Sequence, residues 1–327
     1  MSIIQEYKDR ILAGGEINRA EALHLFDPAI ADLDELCAAA DELREHFCGD
    51  AFDICTIING KCGKCTEDCK YCAQSAHYPH NDLEAYPLLD TASMLAEAKH
   101  NEAGGVLRFS IVTSGKRLSP EEIDQVCETI RTLKRETGLE ICVSFGLLDE
   151  ADFVKLKAAG ASRVHCNLES SAAYFPSVCT THTYEDKIAT LKAARRAGLS
   201  VCSGGIMGLG ESLADRVDLA LTARELSVKS LPVNFLNPIP GTPYADNPII
   251  GADEARRTVA VFRFILPDAS IRLAGGRGLL PDKGEACFTG GANAAISGDM
   301  LTTSGITIAA DMQMLQKLGY QPRLWEK

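Results

Sequence analysis

Cys65, Cys69 and Cys72 lie in the run Cys65-Thr66-Glu67-Asp68-Cys69-Lys70-Tyr71-Cys72, a C-x3-C-x2-C spacing. Three thiolates on one tight loop can hold three corners of a [4Fe-4S] cluster. The fourth iron is then open to a substrate or cofactor. A zinc knuckle closes with four ligands, normally in C-x2-C pairs. Three cysteines this close cannot all pair as disulfides. The spacing points to a reactive cluster.

A second set of chemistry-bearing residues lies on strand-like segments. Side chains alternate across a strand, so one set faces helices and the other faces the interior. That rule turns Arg272 inward from Ile271 and Leu273, and Arg108 and Ser110 inward from Leu107 and Phe109. It does the same for His165, Asn167 and Glu169, for Asn234, and for Cys142 and Cys202, while Cys166 is turned away. A barrel interior is ordinarily filled by Val, Ile and Leu. An unpaired buried arginine is costly, so this set predicts a polar cavity in which an anion or anionic cofactor meets the arginine. Plainer roles exist for single members. A lone buried cysteine is usually a small hydrophobe, an asparagine can serve only the backbone, and Glu169 can end its strand at a solvated rim. The pattern across six strands carries the inference.

The run Ser203-Gly204-Gly205-Ile206-Met207-Gly208-Leu209-Gly210-Glu211 follows the fifth strand-like segment. Its glycines let backbone approach a ligand closely. It lacks the Gly-Lys-Ser/Thr ending of a phosphate loop and the spacing of a dinucleotide fingerprint.

These residues need a frame. Strand-like runs begin near Asp53, Val106, Glu140, Ser162, Ser200, Leu231, Ser270 and Ala292, with helical periodicity between most of them. Eight strands with helical crossovers predict an α/β fold, a (β/α)8 TIM barrel. A doubly wound open sheet is the alternative. Residues 1–50 read as an N-terminal helical extension, 51–305 as the barrel and 306–327 as a C-terminal tail.

A chain of 327 residues with net charge -12 and no basic run argues against nucleic acid as a partner. No apolar stretch is long enough to span a membrane, and the start of the chain does not read as a signal peptide. Thirteen cysteines without an export signal point to a reducing cytoplasmic setting and metal chemistry.

The cysteine loop on such a frame resembles the radical S-adenosylmethionine (SAM) superfamily. Longer matches narrow the resemblance to the biotin synthase family. They are Cys65 to Cys72 with Gln74-Ser75, Asn167-Leu168-Glu169, Thr180-Thr181-His182-Thr183-Tyr184, Val201 to Glu211, Arg272-Leu273, Gly291-Ala292-Asn293 and Leu301-Thr302-Thr303. Together they span roughly residues 50–305.

The resemblance implies that the open iron binds the amino and carboxylate groups of S-adenosylmethionine. A 5′-deoxyadenosyl radical then removes hydrogen from dethiobiotin, and an auxiliary iron–sulfur cluster supplies sulfur to make biotin. It implies cofactor contacts from Tyr71, Asn167, Glu169, His182 and Ile206. It implies substrate contacts from His165, Asn234 and Thr302. Cys142, Cys202 and Arg272 match three ligands of the auxiliary cluster. It further implies an electron donor such as flavodoxin or ferredoxin, and a homodimer. Two departures stand out. Ser110 occupies the position of a further cysteine ligand, and His165 that of an asparagine. Cys62, three residues before Cys65, is the expected replacement ligand, with Cys166 its rival. The auxiliary cluster is then [2Fe-2S] or a variant of it. A mutase or cofactor maturase of the same superfamily, and a non-catalytic iron–sulfur carrier, are the competing functions.

Overall fold

In the computed structural model, which describes residues 2–78 and 83–325, the chain forms a closed barrel of parallel strands. The staves in order are β1 (Ala51–Lys61), β2 (Arg108–Thr113), β3 (Glu140–Ser144), β4 (Ala161–His165), a fifth in two pieces, β5 (Ser200–Cys202) and β6 (Gly205–Met207), then β7 (Ser230–Phe235), β8 (Ser270–Leu273) and β9 (Ala294–Ser297). β9 pairs with β1 from Asp53↔Ala294 to Thr56↔Ser297, which closes the ring at eight staves. The expected (β/α)8 architecture is the observed one.

Local chemistry explains where the crossover helices begin. α5 (Pro120–Glu136), α8 (Tyr184–Arg196) and α9 (Leu213–Glu225) each start with a capping box, from Ser119 and Glu122, Thr183 and Asp186, and Ser212 and Asp215. In each, the side chains of the pair satisfy two otherwise orphaned backbone N–H groups. α4 (Thr91–Ala103), α6 (Glu150–Ala159) and α10 (Ala252–Ile265) complete the outer ring. The link after β8 reduces to a 3-10 turn, Arg277–Leu279, and the four-residue helix α11 (Glu285–Phe288).

The strands divide as alternation requires. Phe109, Ile111, Ile141, Val143, Ile271 and Leu273 are buried in the hydrophobic layer under the helices. The opposite faces carry Arg108, Ser110, Cys142, Cys202 and Arg272, all essentially inaccessible to solvent. Before the barrel come α1 (Ile3–Leu12), α2 (Arg19–Phe26) and α3 (Leu33–Cys48). α2 packs on α9 and α10, and α3 lies along α10. After it, α12 (Ile308–Leu318) leads to β10 (Gln321–Pro322), which pairs in parallel with the start of β1. Among the described residues, no helix is long and apolar enough to cross a membrane.

The break in the fifth stave has a steric cause. Ser203 donates its N–H to Ser230 O, and Glu169 donates to Gly204 O, so the chain turns between β4 and β7. A Cβ on Gly204 would run into the Pro232 carbonyl, and one on Gly205 into the Glu169 carbonyl and Leu219. Replacing Gly204→Ala should therefore cost about 2 kcal/mol or more, by overpacking against backbone that cannot move aside. Gly278→Ala, where the added methyl meets nothing within 4 Å, should change stability by less than ~0.5 kcal/mol. Denaturant unfolding of both variants measures the difference.

Candidate functional site

The cysteine loop lies over the barrel mouth and is fastened there by its own intervening residues. Asp68 Oδ1 accepts hydrogen bonds from the N–H of Thr180 at 2.8 Å and of Thr181 at 3.1 Å. Glu67 Oε2 accepts from the Thr181 hydroxyl at 2.8 Å and lies 2.7 Å from His182 Nδ1. Burial works against the Asp68 carboxylate, but the donors on Thr180 and Thr181 hold its pKa well below the usual range. Cys65 pairs its backbone with Gln74 and Ala76, and its sulfur accepts from Gly115 N–H at 3.3 Å. The two residues separating Thr66 from Cys69 thus clamp the loop to the segment after β4. Cys65, Cys69 and Cys72 all border one cavity of about 400 Å³. Burial pushes the Cys72 thiol up to about 11, and cluster binding would take its proton.

Polar groups enter this cavity from several staves. Tyr71 donates its hydroxyl to Glu169 Oε1 at 2.9 Å. Glu169 sits at φ 68, a left-handed conformation that a non-glycine residue rarely adopts. Its other oxygen, Oε2, is buried and unpartnered among the described residues. Asn167 accepts from Gly204 N–H at 3.3 Å, and Asn234 bridges Gly205 O and Gly275 N–H at 3.1 and 2.9 Å. Ile206 joins Val178, Leu209 and Leu236 in an apolar patch packed against Tyr71. His165 and Thr302 border the same space. The cofactor and substrate residues expected from the sequence therefore converge on one cavity.

Lys187, on α8, is a member the sequence reading missed. Its side chain is 12% exposed, borders the cavity, and holds Nζ 3.9 Å from Glu169 Oε1. Burial alone would lower its pKa, but Cys166 and Glu169 raise it, so it stays charged. A lysine in the first turn of a helix opposes the helix dipole, and that mismatch was the available signal. His182 places Nδ1 on Glu67, while Nε2 is buried without a partner among the described residues.

Beneath the cavity lies a second polar group. Asp53 is fully buried and receives Arg108 Nε at 2.9 Å and Arg272 Nη2 at 2.9 Å, with Arg163 Nη1 at 3.9 Å. The anion expected to meet Arg272 is thus supplied first by the protein itself. Burial raises the Asp53 pKa, but Arg272, Arg108 and Arg163 outweigh it and drive it well below the carboxylate range. Arg272 Nη1 also donates to Asp53 O at 2.8 Å and Ala295 O at 2.9 Å, and lies 3.4 Å from Cys55 Sγ. Cys142 and Cys202 are buried in the same interior.

Two placements differ from expectation. Cys62 does not join Cys142, Cys202 and Arg272. It lies past the end of β1, paired through its backbone with Tyr86, and its thiol interacts with Asn59 and Glu84. β1 ends at Lys61 after a register irregularity between Asn59 and Lys61, so strand alternation does not fix where the Cys62 side chain points. Cys166 borders the cavity beside Lys187 rather than turning from it. β4 ends at His165, so a period of two no longer applies there.

Ser110 Oγ lies 3.2 Å from His165 Nε2. Burial, then the charges of Arg163, Arg272 and Arg108, push the His165 pKa down to about 3. The imidazole should stay neutral, so histidine-labelled protein titrated from pH 8 to pH 5 by NMR should show no protonation step at His165. A step in that window would contradict the burial and the arginine field together.

Comparisons with known proteins bear on this arrangement. Residues 61–223 match the radical SAM superfamily, and 232–321 match the biotin and thiamin synthesis associated domain. Biotin synthase 2 of Corynebacterium diphtheriae is 56% identical over 320 residues, covering 98% of this chain and 96% of that one. The biotin synthase of Akkermansia muciniphila is 54% identical, covering 99% and 100%. Among solved structures, methylornithine synthase superposes with a TM-score of 0.83 at 18% identity, covering 98% of each chain. The FeFe-hydrogenase maturase HydG from Carboxydothermus hydrogenoformans gives 0.83 at 16%, covering 98% of this chain and 79% of that one. These two likenesses concern the fold.

Proposed function

The chain belongs to the biotin synthase family of the radical SAM superfamily, and we propose on that premise that it inserts sulfur into dethiobiotin to form biotin. One observation carries the reading. A single cavity has the three-thiol loop at its mouth and, beneath it, a second buried set of thiols with Arg272. When bound, a [4Fe-4S] cluster with S-adenosylmethionine supplies an electron and a carbon radical that takes hydrogen from the substrate, and an auxiliary cluster supplies sulfur.

The residues present fit those groups. Cys65, Cys69 and Cys72 would hold the [4Fe-4S] cluster, which leaves one iron for the cofactor. The unpartnered Glu169 Oε2 offers an acceptor for ribose hydroxyls, with Asn167 beside it. Tyr71 and Ile206 offer an apolar surface for adenine. His182 Nε2 and the Lys187 ammonium offer donors to a carboxylate. His165, Asn234 and Thr302 line the remaining space, where donors and acceptors can orient the ureido ring of dethiobiotin. Their task is to hold the two reacting carbons in reach of the radical and keep water out. Cys142, Cys202 and Arg272 belong to the auxiliary cluster. A flavodoxin or ferredoxin as electron donor, a homodimer and a cytoplasmic setting complete the reading, on the strength of the family resemblance.

Anaerobically reconstituted protein given dethiobiotin, S-adenosylmethionine and a reductant should form both 5′-deoxyadenosine and biotin. Formation of 5′-deoxyadenosine without biotin would reject the substrate and keep the radical chemistry. Lys187→Met should weaken S-adenosylmethionine binding roughly tenfold, the size of one charge-assisted hydrogen bond, measured by equilibrium dialysis on protein with full cluster content. Unchanged affinity would remove Lys187 from the cofactor site.

A further inference from the structure

Parallel barrels fill their interior in layers of four side chains, each layer drawn from alternate staves. Cys55 on β1, Cys142 on β3, Cys202 on β5 and Arg272 on β8 come from the first, third, fifth and seventh staves. Ser110 and His165, on the second and fourth staves, touch each other instead. Cys55 lies on the same face of β1 as Asp53, whose carboxylate meets the inward arginines, and Ile57, which borders the cavity. It is 1% exposed, and its sulfur lies 3.4 Å from Arg272 Nη1. Its thiol interacts electrostatically with both Cys142 and Cys202.

From this placement we propose that Cys55 is the third thiolate of the auxiliary iron–sulfur cluster. The inference rests on the sulfur-insertion reading above and names a ligand that reading leaves open. The ligand role has moved one stave around the barrel, from the Ser110 position on β2 to β1. Soft thiolates suit iron–sulfur clusters far better than hydroxyls, and the Ser110 hydroxyl is already within hydrogen-bond reach of His165. Cys62 is set against residues 84–86 instead. The ligand set becomes three thiolates and an arginine contributed by the odd staves. Ser110 and His165 then stand in the even set, where His165 faces the substrate cavity.

The test compares full-length wild type, Cys55→Ala, Cys55→Ser and Cys62→Ala after anaerobic reconstitution, by iron and sulfide content and Mössbauer spectra. Wild type and Cys62→Ala should each show two distinct clusters. Both Cys55 variants should lose the auxiliary signals and keep the [4Fe-4S] signal, with iron falling to that of one cluster. They should still cleave S-adenosylmethionine, which reports an intact fold, while biotin formation drops by more than about 100-fold, beyond the range of outer-shell changes. Retention of two clusters in both Cys55 variants overturns the proposal. So does loss of the auxiliary cluster in Cys62→Ala. A wild type with only one cluster overturns the two-cluster reading itself, which separates that failure from a wrong ligand.

Discussion

The barrel is organised around one buried carboxylate. Asp53 holds Arg108 and Arg272 directly and Arg163 at 3.9 Å, so four staves are tied through one side chain. Breaking such a group by removing one partner leaves uncompensated charge in a medium that cannot solvate it. Even with Glu140 acting on Arg108, guanidiniums outnumber carboxylates, and the interior favours further negative charge. Thiolates around iron are one form that charge can take. The arginines also set the His165 imidazole in its neutral form. One carboxylate thereby holds in place the arginines that face both the buried thiols and His165.

Much of this was legible in the sequence because its signals were local. Cysteine spacing marked the cluster loop. Helical periodicity between apolar runs marked the staves, and parity turned Arg108, Arg272, Cys142 and Cys202 inward. Each failure had a physical cause. Asp53 lies between Phe52 and Ile54 as Arg272 lies between Ile271 and Leu273, but β1 starts at Ala51, ahead of the run that begins near Asp53, so the flanking Phe52 that would mark Asp53 and Cys55 as interior fell outside it. Cys62 lies beyond the irregular end of β1, where its backbone pairs with Tyr86 instead of continuing the stave. The end of β4 at His165 spoiled the parity argument for Cys166. Lys187 lay on a helix, where a lysine ordinarily reads as solvated, and only its place in the first turn, against the helix dipole, hinted otherwise.

The mouth and the floor use different materials for the same purpose. At the mouth, Glu67 and Asp68 fasten the cysteine loop through backbone and hydroxyl donors of residues 180–182. At the floor, the strands themselves supply rigidity, and the layer of Cys55, Cys142, Cys202 and Arg272 follows from which staves alternate. A loop site tolerates changes in its flanks so long as the clamp persists. A layer site is constrained by stave parity, so a side chain can join it only from an inward position on one of the alternating staves.

Ring closure joins residues 53–56 to 294–297, and the Asp53 group includes Arg272 from the seventh stave. On the ribosome, Asp53 emerges long before Arg272 exists. Its stave lacks one neighbour until nearly the whole chain has been made. β10 then lays Gln321 and Pro322 beside Ala51 and Phe52, so the first stave is the last to be completed. Until residues 294–297 have been made, the nascent chain carries Asp53 on an open-edged strand, and the ring cannot close.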